Sequence, residues 1–365
     1  MGDEGSPVMK WRDFPTVVIG ACVASTMMAQ SVGEWARMAP MVPRAYSCVR
    51  ATTPIQIDGR LDDAAWQQAP WTEEFVDIEG SVKPKPKFRT RARMLWDDQN
   101  FYIAAELIEP HVWGTIKERD AVIFQDPDFE VFIDPDADSH QYYEFEMNAL
   151  NTVWDLRLVK AYKDGGPALN EWHIAGLRTA VHVDGTLNDP KDTDRAWTLE
   201  ISMPWAALKE FSRQASPPRN ADRWRVNFSR VQWQIETAGG YRKVPKTPED
   251  NWVWSPTGIV DMHRPEKWGI VEFTTEAKAN PNVKPGPVEA VRDVLQEVYY
   301  AQRAFHAKEK RFATTLAELG FASGKPAAGV VVKVGAGGWE ATVPFQDGKT
   351  KRQASIRQDG FFGVE

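Results

Sequence analysis

From Phe88 to Phe273 the chain is cut into short β-rich segments by Gly, Pro, Asp and Asn, with no long helices alternating among them. That layout favours two packed sheets over an α/β fold. Arg89 to Trp96 alternates, turns at Asp97-Asp98-Gln99-Asn100 and returns through Phe101 to Leu107, which predicts a hairpin. Phe129 to Ile133 and Tyr142 to Met147 form a second pair around Asp134-Pro135-Asp136-Ala137-Asp138. Further strands are expected at Thr152 to Val159, Leu177 to Val183, Trp197 to Met203, Trp224 to Gln234 and Trp268 to Phe273. Pro204 to Leu208 reads as a short helix with proline in its first turn.

The sandwich opens near residue 50, just before Ile57-Asp58-Gly59-Arg60-Leu61-Asp62-Asp63-Ala64-Ala65-Trp66. Asp58-Gly59 supplies turn chemistry, and Asp62 or Asp63 is placed to cap the turn that carries Trp66. The sandwich runs to residue 274, and 275–287 (TEAKANPNVKPGP) is a linker by composition. Beyond it, Val288, Val291, Leu295, Val298, Gln302 and Phe305 recur at helical spacing. Thr315-Leu316-Ala317-Glu318 reads as a capping box, and Gly320 as a stop. Val330 to Val334, Trp339 to Val343 and Ala354 to Arg357 complete a small α+β domain over 288–365. The expected class is therefore mainly β: an antiparallel β-sandwich with a small C-terminal α+β domain.

Residues 1–30 read as a signal segment, with Lys10 and Arg12 ahead of an apolar run from Val17 to Ala29. Ile19-Gly20-Ala21-Cys22 resembles a lipoprotein cleavage box, which would place a lipid anchor on Cys22. The run is too short and too rich in Ser and Thr for a membrane span, so none is expected in the mature protein. Export follows as the expectation, to the periplasm, the outer membrane as a lipoprotein, or the exterior. The formal charge of −7 argues against a nucleic-acid partner. Two cysteines leave only Cys48 once the signal is processed, so no internal disulfide is expected. The six histidines form no HExxH or CxxCH pattern, and nothing pairs Met147 with a facing histidine, so zinc, haem and nucleotide are not expected.

Read together, Ile57-Asp58-Gly59…Ala65-Trp66, Leu95-Trp96-Asp97-Asp98…Phe101-Tyr102, Phe129-Glu130-Val131-Phe132-Ile133-Asp134 and Trp268-Gly269 resemble the family 9 carbohydrate-binding modules across residues 52 to 274. The resemblance implies a sugar-binding sandwich with calcium in its loops, of a kind often joined to glycoside hydrolases. Two tryptophans, a Glu, an Arg and an Asn hold the sugar in that family. The Glu falls on Glu130 and the Asn on Asn148, while the first tryptophan falls on Phe124, still an aromatic. The Arg falls on Glu146 and the second tryptophan on Met262, beside His263, so these two positions depart from the pattern. The C-terminal region resembles the globular half of type IV pilin or pseudopilin subunits in Ala301-Gln302-Arg303-Ala304-Phe305 and Leu316-Ala317-Glu318-Leu319, without the apolar half-helix those subunits use for assembly.

Strand alternation puts Glu144, Glu146 and Asn148 on one face, opposite Tyr143, Phe145 and Met147. Carboxylates, an amide and an aromatic ring are the groups that sugar recognition uses. Sixteen tryptophans, thirteen of them between Trp66 and Trp268, fill interiors and leave some for stacking; Trp113, Trp252 and Trp254 are candidates for the second ring. Asp134, Asp136 and Asp138 share one tight loop that lacks the EF-hand pattern and reads first as a solvated hairpin tip; the resemblance makes them the candidate calcium ligands, with Asp97, Asp98 and Asn100 a weaker set. The expected function is binding of a poly- or oligosaccharide in polysaccharide breakdown or uptake. Two alternatives stand beside it: a glycoside hydrolase using paired carboxylates such as Glu144 and Glu146, and a structural module whose sugar site has decayed.

Overall fold

The computed structural model describes residues 33–321 and 327–365, so the expected signal segment and Cys22 lie outside the described residues. The main strands are β1 (Ala45–Arg50), β2 (Thr90–Trp96), β3 (Asn100–Ile108), β4 (Asp128–Asp134), β5 (His140–Asn148), β6 (Val153–Lys160), β7 (Arg178–Asp184), β8 (Ala196–Pro204), β9 (Arg223–Gln232), β10 (Asp250–Val253) and β11 (Gly269–Thr274). They form one curled sheet in the order β6-β5-β4-β9-β11-β1-β2-β3-β8-β7, with β10 on β9. The two halves face each other as a sandwich. The sheet is mixed rather than purely antiparallel, because β1 runs parallel to both β11 and β2.

Period-2 alternation builds the interior. Phe129, Val131 and Ile133 of β4, Tyr143, Phe145 and Met147 of β5, and Trp224, Val226 and Phe228 of β9 all enter the main core. Trp205, Trp224 and Phe273 pack edge to face at centroid distances of 5.4 to 5.7 Å, the arrangement the ring quadrupole favours. Cys48 is buried in the same core, with no disulfide partner among the described residues.

The Ile57–Trp66 stretch is fixed by a residue the sequence does not point to. Glu200 of β8 is fully buried. Its Oε2 accepts the backbone N–H groups of Asp58 (2.9 Å) and Gly59 (2.8 Å), and its Oε1 accepts the Trp66 indole N–H at 2.7 Å. Gly59 has φ +84, and a Cβ there would lie 2.5 Å from the Val181 carbonyl carbon, so only glycine fits. Asp58 makes the expected turn, its Oδ1 accepting Arg60 N–H at 2.8 Å. The expected acid cap does not form: Asp63 precedes the 3₁₀ turn Ala64–Gln68 without capping it and instead accepts Gln56 N–H at 2.7 Å.

At the C-terminus a helix, Pro287–Glu309, packs on an antiparallel sheet of β12 (Val331–Gly335), β13 (Gly338–Asp347), β14 (Thr350–Arg357) and β15 (Phe362–Val364). The capping box forms its reciprocal bonds between Thr315 and Glu318 at 3.3 Å, on a turn rather than a helix. No helix among the described residues is long and apolar enough to cross a membrane.

This unit also sits on the sandwich, and it does so on the acidic loop. Arg292 donates to Ala137 O at 2.6 Å, and Phe362 N–H donates to Asp138 O at 3.0 Å. Arg225 pairs with Glu289, and Lys267 Nζ lies 2.9 Å from Asp293. The Asp134–Asp138 loop is thus a seat for the C-terminal unit rather than a solvated hairpin tip.

Candidate functional site

The even-numbered residues of β4 and β5 leave the main core and share the opposite face of the sheet. Register lines up Ser229 of β9, Glu130 of β4, Glu146 of β5 and Trp154 of β6 as one cross-strand row. The adjoining row is Asn227, Phe132, Glu144 and Leu156. Asp128 lies beyond Glu130, opposite Asn148. Asp128, Glu130, Glu144 and Glu146 are each at most 6% exposed. Like charges directly across a ladder repel, and burial strengthens the repulsion.

Among the described residues, no Lys or Arg forms an ion pair with any of these four carboxyls. The Lys243 ammonium lies over the Trp233 ring at 3.4 Å and donates to Gln125 at 3.2 Å. His263 approaches Glu144 at 3.9 Å, but burial pushes its pKa down to about 4, so the ring is neutral near pH 7. Burial raises the pKa of all four carboxyls, and the neighbouring Glu130 adds to the rise at Asp128, Glu144 and Glu146. Glu130 itself is pushed up to about 7. Ligand oxygens of Asp128, Glu130 and Glu146 lie within 4.8 Å of one another.

The sign of the pH dependence follows. An unfolded glutamate titrates near about 4.3, so up to about pH 7 folded Glu130 keeps a proton that the unfolded chain releases. Stability therefore falls as pH rises through that window. His263 acts oppositely, losing stability as pH falls from about 6.5 towards about 4. Glu130→Gln is expected to stabilise the protein at pH 7.5 in metal-free buffer by on the order of 2 kcal/mol and to change little at pH 4.5. Urea titrations at the two pH values check this; a variant less stable than wild type at both contradicts it.

The residues expected from the sequence separate into two groups. Glu130 and Glu146 meet, and half-buried Phe124 joins them, its N–H donating to Glu146 Oε2 at 3.1 Å. Asn148 is fully buried and spent: its Oδ1 accepts Leu150 and Thr152 N–H at 3.0 Å, and its Nδ2 donates to Ile116 O (2.9 Å) and Asp126 Oδ2 (3.0 Å). No donor or acceptor of that amide is left for a sugar hydroxyl. Met262 packs with Phe132, Tyr142 and Trp268 in a satellite core. His263 is bound to the Tyr142 hydroxyl at 2.9 Å and lies under the half-exposed Tyr162 ring, 4.5 Å between centroids.

Trp113, Trp252 and Trp254 are all buried, which removes them as stacking rings. The partly exposed aromatics beside the carboxylates are Trp154, across from Glu146, and Trp233, whose indole donates to Phe124 O at 3.0 Å. Asp128, Trp154 and Trp233 are absent from the sequence expectation. Asp128 was accessible to it, since it stands two residues before Glu130 on the same strand face; Trp154 needed the register.

At the expected calcium loop, ligand oxygens of Asp134, Asp136 and Asp138 lie within 4.8 Å of one another, and a guanidinium approaches two of the three. Arg213 bonds Asp136 through Nε at 3.2 Å and Asp138 through Nη2 at 2.5 Å. Asp134 is buried and accepts Ser139 N–H at 2.8 Å. In the weaker set, Asp97 is consumed by its own hairpin, accepting Gln99 and Asn100 N–H at 2.7 Å and the Tyr102 hydroxyl at 2.8 Å.

Fold and site together define a β-sandwich domain with a buried acidic sheet face rimmed by aromatic rings. Residues 57–224 match the family model described as carbohydrate family 9 binding domain-like. Among solved structures, the chain is similar to a Bacteroides uniformis protein described as carbohydrate-binding, at 15% identity, with a TM-score of 0.47 and coverage of 63% of this chain and 99% of that one. It is also similar to a family 9 carbohydrate-binding module from Caldicellulosiruptor kristjanssonii, solved with glucose and with cellotriose. Identity there is 13% and the TM-score 0.39, covering 66% of this chain and 98% or more of those. No curated protein matches the chain.

Proposed function

We propose that the protein is a non-catalytic carbohydrate-binding protein that takes a poly- or oligosaccharide at the Glu130–Glu146 face, with Phe124 and Trp154 as its apolar walls. The observation that carries this reading is the family match over 57–224, because that span supplies Glu130, Glu146, Phe124 and Trp154. Carboxylate oxygens accept from sugar hydroxyls, and aromatic faces cover the apolar side of a pyranose ring. Protein action outside the cytoplasm is part of the proposal, on the strength of Lys10, Arg12 and the apolar run to Ala29; recovery of the full chain in the cytoplasmic fraction would end that part. The pilin-like reading of the C-terminal unit rests on one long helix packed on an antiparallel sheet, and that unit serves here as a support for the sandwich.

A glycan array and affinity gels run with the intact protein test the proposal. Retention by at least one glycan is expected, with a loss of about tenfold or more in Glu146→Ala at unchanged far-UV circular dichroism. A folded wild-type protein that binds nothing overturns it, and release of reducing sugar would move the reading to a hydrolase.

A further inference from the structure

Among the described residues no Lys or Arg pairs with the carboxyls of the acidic face, and their oxygens are arranged to receive a positive charge. Asp128, Glu130 and Glu146 converge from two adjacent strands, and their ligand oxygens lie within 4.8 Å of one another. Calcium–oxygen bonds of about 2.4 Å put opposed ligands about 4.8 Å apart. Three carboxylates with no nitrogen or sulfur donor suit a hard cation rather than zinc or copper.

A second observation comes from groups with nothing to bond. The second oxygens of Asp128 and Glu144 are buried and have no hydrogen-bond partner among the described residues. Buried polar atoms without partners are uncommon in a folded chain, and two at one spot point to a missing ligand. Ser229 is fully buried, pairs with Glu130 in the ladder and projects from the same face, with its hydroxyl against the Glu130 carboxylate. The nearby ammonium of Lys243 is directed to Gln125 and Trp233, and the neutral His263 ring brings no charge.

We propose that Asp128, Glu130 and Glu146 bind one divalent cation, calcium. The site differs from the Asp134–Asp136–Asp138 loop, where a guanidinium already stands. The inference deepens the carbohydrate reading and rests on it: three carboxylates leave part of a shell of about six to eight oxygens to other donors, and sugar hydroxyls are oxygens of that kind.

The test uses the full chain, stripped with chelator, and calcium chloride alone as the first probe. Calorimetric titration is expected to give one calcium per chain, and calcium to raise the melting temperature by about 3 °C or more. Glu146→Gln and Glu130→Gln should each weaken calcium binding about tenfold or more, while Asp136→Asn should leave it unchanged. A flat titration of the folded wild type overturns the proposal. So does calcium binding that survives Glu146→Gln and Glu130→Gln but is lost in Asp136→Asn. Glycan arrays run with calcium and with chelator separate the two readings: calcium binding without any glycan leaves the cation site standing and removes the sugar function. Glycan binding that is the same in chelator, with a flat calcium titration, does the reverse.

Discussion

Glu200→Ala is expected to destabilise the sandwich by about 3–5 kcal/mol, the largest effect of any single side chain around the Asp58-Gly59 turn. Three donors lose their acceptor at once: the amides of Asp58 and Gly59 and the indole of Trp66. Trp66 is fully buried, so its N–H has no water to turn to. Thr198 Oγ1 still donates to Gly59 O at 2.6 Å and holds the turn from the other side, so the fold survives in weakened form. Burial raises the Glu200 pKa and the three donors lower it, which is the balance expected of a carboxylate placed for its hydrogen bonds. Glu200→Gln keeps the volume but turns an amide towards donors, so it should fall between alanine and wild type. Urea unfolding followed by tryptophan fluorescence measures the series. An alanine variant within about 1 kcal/mol of wild type would show that the stretch is held by packing alone.

That carboxylate also marks where reading the sequence runs out. Asp58-Gly59 announces a turn through local chemistry, and the alternation in β4 and β5 announces two faces, so both are legible from adjacent residues. The acceptor for the turn lies on β8, far along the chain, and nothing in Ala196–Pro204 distinguishes Glu200 from an exposed strand glutamate. The same limit applies at the acidic face. Glu130, Glu146 and Asp128 follow from period 2, whereas the rows that join them to Ser229 and Trp154 depend on pairing across four strands. Asn148 shows the opposite failure: its position on the strand is as expected, but its amide is consumed by loops at Ile116, Leu150 and Thr152. The three carboxylates of the Asp134–Asp138 loop are legible because they are local, whereas Arg213 on two of them, and Arg292 and Phe362 on its backbone carbonyls, arrive from distant segments.

Arg230→Met should cost about 3–5 kcal/mol, because it strands a buried carboxylate. Arg230 and Glu109 are 1% and 3% exposed and meet at 2.7 Å. The guanidinium also donates to Thr90 Oγ1 and Ile108 O at 3.0 Å and to Gln232 Oε1 at 2.9 Å. Burial pushes Arg230 down to about 10 and raises Glu109, so each ion is held charged chiefly by the other. Methionine keeps the stem volume and removes the charge, after which Glu109 keeps only uncharged partners, His111 N–H at 3.0 Å and the Gln232 side chain. Its pKa then rises further while the unfolded value stays near about 4.3, so folded Glu109 holds a proton that the unfolded chain gives up. The variant's deficit relative to wild type must therefore grow as pH is raised from 5 to 8. Adding Glu109→Gln removes the stranded charge and should recover at least half of the loss, a coupling that a double-mutant cycle reads directly. A deficit that does not change with pH, or a double variant no better than Arg230→Met, would mean that Arg230 acts through its hydrogen bonds to Thr90, Ile108 and Gln232 rather than by neutralising Glu109.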